Sequence, residues 1–196
     1  MRSDHSPLHA HPRFFLITVL LVTASAGFCS SIGGIGSTRM YLDVPGIPGE
    51  STAIGFEGQM QIESWSWGAT NSGAADTPHS LLSDFVIVKE LDKATPLLLE
   101  AHCAGAMIGV VTCTIITELA ATPTRDASTK YLEITMMDCL ISSYQMGGSS
   151  GADSVPIEQF SLNFEEIKVR YSKRGMDGGL LETEEATCVN TEREPQ

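Results

Sequence analysis

Basic residues are scarce in this chain: 12 Lys and Arg stand against 24 Asp and Glu, a formal charge of −12. Such a surface repels phosphate backbones and anionic headgroups, so nucleic acid is excluded as a partner. The N-terminal apolar run, Phe14 to Thr23, is too short to cross a hydrocarbon core about 30 Å thick as a helix, and no membrane insertion is expected. No Cys-x-x-Cys pair occurs, and the acidic end LETEEATCVNTEREPQ lacks the oxygen-ligand spacing of an EF-hand. Gly-rich GGIGST (33–38) lacks the third glycine and the following helix of a dinucleotide site. With no paired carboxylates and no phosphate loop either, no catalytic centre, cofactor or metal is expected.

What the chain does have begins with the outline of an export signal. Arg2 and Arg13 precede the apolar run, and Ala24-Ser25-Ala26 follows it. Basic, apolar and small segments in that order describe a secretory signal peptide, residues 1–26, cut after Ala26. The protein would then be secreted or periplasmic. Two other readings compete. Cys29 has the position of a lipoprotein acceptor, but bulky Phe28 precedes it; and a translation start at Met40 would leave the product in the cytoplasm. Five cysteines (Cys29, Cys103, Cys113, Cys139, Cys188) lie beyond Ala26, and an odd count leaves at least one thiol unpaired. Cys113 and Cys139 sit in strand-like apolar runs and are expected as buried, reduced thiols.

Residues 27–39, GFCSSIGGIGSTR, read as a Gly/Ser linker ahead of one domain over 40–190, with a polar tail at 191–196. Runs rich in β-branched and aromatic residues then recur between turn signals: 40–44, 59–67, 83–91, 109–119, 130–146 and 158–172, with a weaker one at 185–190. One stretch, DKATPLLLEAHCAG (92–105), reads as a helix: Thr95 can cap it, Pro96 suits its first turn and Gly105 can end it. The fold class is therefore all-β, a sandwich or barrel with one short helix. Two strands change phase midway. Phe160, Leu162 and Phe164 alternate, then Ile167, Val169 and Tyr171 continue after an odd step, which predicts a bulge at Glu165 and Glu166. Met60 and Ile62 are likewise out of phase with Trp65 and Trp67, as the corners of a small barrel require.

Several constellations invite a chemical reading. GGSSG (147–151) has the spacing of a nucleophile elbow around Ser149, yet no helix signal follows it, so a hairpin loop is the simpler account. His102, Cys103, Cys113 and Cys139 carry metal-binding atoms at irregular spacing, and packing is the default for each. Trp65 and Trp67 are either an exposed platform of a monomeric β-sandwich binding carbohydrate or protein, or residues of packing and subunit contact. Their placement on one strand face favours packing.

The order of segments resembles the haemolysin-coregulated protein (Hcp) family, the tube protein of type VI secretion systems. MYLDVPGIPGEST, FEGQMQIESWSWG, LSDFVIVKELDKATPLLLEAHCAG, LEITMMDCLISSYQMGG and IEQFSLNFEEIKVRYS are similar to that family's successive blocks, over residues 40 to 175. The resemblance implies a compact β-barrel assembled as a homo-hexameric ring. Rings of the family stack into a tube beside sheath and spike components, and the lumen carries effector proteins. No catalytic residue carries over. The loop that reaches the adjacent ring in the family falls on Val44, Pro45, Gly46, Ile47, Pro48, Gly49, Glu50 and Ser51, where two glycines permit unusual backbone angles and two prolines stiffen a projecting arm. The export signal departs from the family, whose members are assembled from the cytoplasm. So does Cys188, at the place of a tryptophan often seen near the last strand. Intact mass of the protein made in its own host decides the first departure: loss of residues 1–26 is the expected result, and a chain beginning at Met40 would refute export.

Overall fold

The computed structural model describes residues 37–71, 80–117, 130–151, 155–175 and 179–190. The expected signal peptide, most of the expected linker, Cys29 and the tail 191–196 lie outside these residues. Chain order gives β1 (Thr38–Asp43), β2 (Met60–Ile62), β3 (Ser64–Ser66), β4 (Ala69–Asn71), β5 (Ser80–Leu82) and β6 (Phe85–Glu90). The single helix described, α1 (Thr95–Ala104), is followed by β7 (Met107–Thr117), β8 (Lys130–Gly147), β9 (Ile157–Asn163), β10 (Glu166–Arg174) and β11 (Leu180–Val189). The first strand thus opens two residues before Met40, inside the stretch read as linker. The last strand is ten residues long rather than a short piece at 185–190.

Nine strands form one antiparallel sheet, ordered β2-β1-β7-β8-β9-β6-β3, with β10 on β8 and β11 on β10; β4 and β5 pair separately. The two ends of that path, β2 and β3, are successive pieces of the same chain stretch. Residues 60–62 pair with β1 and residues 64–66 with β6, and between them the Glu63 N–H donates to the Val88 carbonyl at 2.8 Å. The expected barrel is therefore a curled sheet whose ends are joined by chain, not by a closing ladder. This is the phase change between Ile62 and Trp65: one residue is spent turning the strand from one partner to the other.

Two more bends curl the sheet. In β8, residues 132–137 pair with β10, whereas 140–147 pair with β9. The change of partner falls at Asp138, which at φ 54° is the one non-glycine with positive φ among the described residues. Opposite it, β9 ends at Asn163 and β10 begins at Glu166, so the predicted bulge is a corner at Phe164 and Glu165; the Glu165 N–H donates to the Met137 carbonyl at 3.0 Å. Phe160, Leu162 and Phe164 are buried before the corner and Ile167 after it, while Tyr171 has already left the core.

The interior is apolar, built from Leu42, Met60, Phe85, Ile87, Leu98, Val111, Ile134, Met136, Phe160, Leu162 and their neighbours. Cys113 and Cys139 lie in it as free thiols, and burial pushes both up to about 12. Into this core project two charged side chains. Lys89 follows Phe85 and Ile87 on the inner face of β6, and Glu158 precedes Phe160 and Leu162 on the inner face of β9; the two are register partners. Lys89 Nζ donates to Glu158 Oε1 at 2.6 Å, to Asp92 Oδ1 at 2.8 Å and to the Glu90 carbonyl at 2.7 Å. Thr95 Oγ1 donates to Glu158 Oε1 at 2.8 Å, and the Tyr144 hydroxyl donates to Glu158 Oε2. Burial, then the Glu158 carboxylate, push the Tyr144 hydroxyl well above its ordinary value.

That cluster fixes α1. The expected cap is not made by Thr95, which is the first helical residue: Ala94 is the N-cap and has no side chain to cap with, while the Thr95 hydroxyl donates to Glu158 and accepts the Asp92 N–H at 3.1 Å. Asp92 Oδ1 takes the Ala94 N–H at 2.8 Å instead. Gly105, at φ 58°, ends the helix as anticipated. At that end His102 Nδ1 lies 2.9 Å from the Ile141 carbonyl, which can only accept, so Nδ1 carries the proton. Replacing Lys89 by Met leaves the buried Glu158 carboxylate without its cation and should cost about 3–5 kcal/mol in urea unfolding. The double change Lys89→Met with Glu158→Leu should recover much of that loss; an equal or larger loss would show that the pair is not what the core requires.

Candidate functional site

Among the described residues no group of three or more His, Cys, Asp and Glu is arranged to hold a metal ion. His102 is committed to the Ile141 carbonyl and lies beside the Tyr144 ring at 6.4 Å, Cys103 is exposed, and Cys113 and Cys139 are buried in the core. Ser149 lies on exposed chain after β8, and the next described element is a strand, so the strand-to-helix turn of a nucleophile elbow is not formed. No described helix is long and apolar enough to cross a membrane.

Trp65 and Trp67 are half-buried and packed against the core cluster. Trp65 stacks on Phe85, with ring centroids 5.4 Å apart and planes within 8°. The Trp67 indole N–H is buried and meets no acceptor among the described residues. Neither ring is presented as a flat platform. The chain beyond them is also more ordered than a plain loop, since β4 pairs with β5 and the Gly68 N–H donates to Ser83 Oγ at 2.9 Å.

The excursion between β1 and β2 departs from a simple projecting arm. Val44 and Ile47 are buried in the main core, and the Ile47 N–H closes a turn on the Val44 carbonyl at 3.1 Å. Pro45 and Gly46 occupy the turn's centre, and Gly46 at φ 79° takes the angle that only glycine adopts freely. Gly49 is needed for a different reason than the backbone angle expected of it. A Cβ there would lie 2.4 Å from the Gln59 carbonyl oxygen, because the two limbs of the excursion run side by side. Gly49 N–H donates to Gly58 O at 2.7 Å, Gly58 N–H to Ser51 O at 2.8 Å, and Ser51 N–H to Gln59 O at 3.0 Å. The segment therefore continues past Ser51 as a small hairpin, whose tip turns at Ala53–Phe56 with Gly55 at φ 81°. Pro45, Pro48 and Glu50 are exposed along it, and Ile54 at the tip is 65% exposed.

A second surface is the β10–β11 ribbon. β10 lies between β8 and β11, but among the described residues β11 pairs on one side alone, and it is exposed along nearly its whole length. Leu180, Leu181, Val189 and Tyr171 are all large apolar side chains in solvent here. The β10–β8 ladder joins the ribbon to the body, and ion pairs line it: Glu185 receives Lys168 at 2.7 Å and Arg170 at 2.8 Å, and Arg170 reaches Glu133 at 3.4 Å. Hydrogen bonds from Lys168 and then Arg170 hold the Glu185 carboxyl below its usual range. Cys188, opposite Ile167, packs against the core at the ribbon's base.

Comparison with known proteins gives the family. Residues 41–171 match the family model described as type VI secretion system effector, Hcp. The chain is 32% identical to protein hcp1 of Pseudomonas aeruginosa over 97 residues, a match spanning 50% of this chain and 56% of that relative. The fold is similar to a solved type six secretion system protein (TM-score 0.70, 19% identity, 81% of this chain and 99% of that one). It is also similar to Hcp1 of Salmonella typhimurium (TM-score 0.65, 20% identity, 81% and 98%). Gly49→Ala should destabilise the protein by about 1–3 kcal/mol in chemical denaturation, since the clash is with backbone. Gly46→Ala should cost less, about 1 kcal/mol, as strain alone.

Proposed function

The chain belongs to the Hcp family of type VI secretion proteins, and we propose that it is a non-enzymatic tube subunit whose copies close into hexameric rings. The rings stack through the loop that contains Val44 to Ser51, and their lumen carries small effector proteins past sheath and spike components. The observation that carries this reading is β11: a ten-residue strand paired on one side and exposed on its faces is an unfinished edge. A head-to-tail neighbour is the simplest cover for it, and repeated head-to-tail contacts close into rings. Leu180, Leu181 and Val189 would contribute apolar area to that contact.

Export by the N-terminal signal is part of the proposal: the same ring would serve outside the cytoplasm, as a tube component or as a scaffold and carrier. A monomeric module using Trp65 and Trp67 as a ligand platform is less well supported, because both rings pack against the core. Light scattering on a sizing column tests the ring. A mass near six chains is expected at micromolar concentration, with Leu181→Asp shifting the protein toward smaller species. A wild-type protein that stays strictly monomeric would refute the reading.

A further inference from the structure

We draw no further inference here: the strongest candidate, the surface patch of exposed apolar side chains on α1 and the adjoining ends of β7 and β8 (Leu97, Leu99, Met107 and Met146), carries nothing because nothing in the structure shows what covers it.

Discussion

Lys89 and Glu158 are the constraint around which the interior is arranged. Both are fully enclosed, and a buried charge is tolerated only with a partner at bonding distance. Glu158 has its oxygens shared among Lys89, Thr95 and Tyr144, so β6, β8, β9 and the start of α1 must meet at one point. Apolar packing alone would permit the helix to slide, because Leu98 is its one buried residue while Leu97 and Leu99 remain partly in water. The ion pair removes that freedom.

Around this point the sheet curls by a repeated device. Three chain stretches, 60–66, 130–147 and 157–174, each bend once and exchange one partner strand for another. A flat sheet of nine strands would expose one face of every strand. Bends at Glu63, Asp138 and Glu165 turn those faces inward, and they also direct β10 and β11 away from the core as a ribbon. The contact surfaces follow from the same geometry that closes the interior.

Much of this was legible in residue patterns. The order of strands, the single helix between Asp92 and Gly105, and the corners near Ile62 and Glu165 follow from alternation of apolar side chains and from glycine and proline. The Lys89–Glu158 pair was missed, although a signal existed: Phe85-x-Ile87-x-Lys89 and Glu158-x-Phe160-x-Leu162 both place a charge on the face reserved for the core. Alternation marks each position separately, and only pairing of the strands shows that the two charges coincide. Thr95 was misassigned as a cap for a related reason: the helix starts one residue earlier than expected, and its hydroxyl points to a carboxylate 63 residues away.

The sequence by itself determined the fold class, the family and two of the three places where strands turn, near Glu63 and Glu165, because these depend on local periodicity and on the order of segments along the chain; the bend at Asp138 left no such mark. Tertiary structure decided what those segments meet. It seated Val44 and Ile47 in the core and folded the following hairpin onto Tyr41, where the resemblance to the family implies a projecting, semi-rigid arm. It set Gly49 against the backbone at Gln59, a requirement of distance that no local preference records. Among the described residues it also gave β11 no second neighbour, although its residues resemble those of any solvated strand. Contacts between residues far apart in sequence depend on how the whole sheet curls, and that curvature is a property of all its strands together.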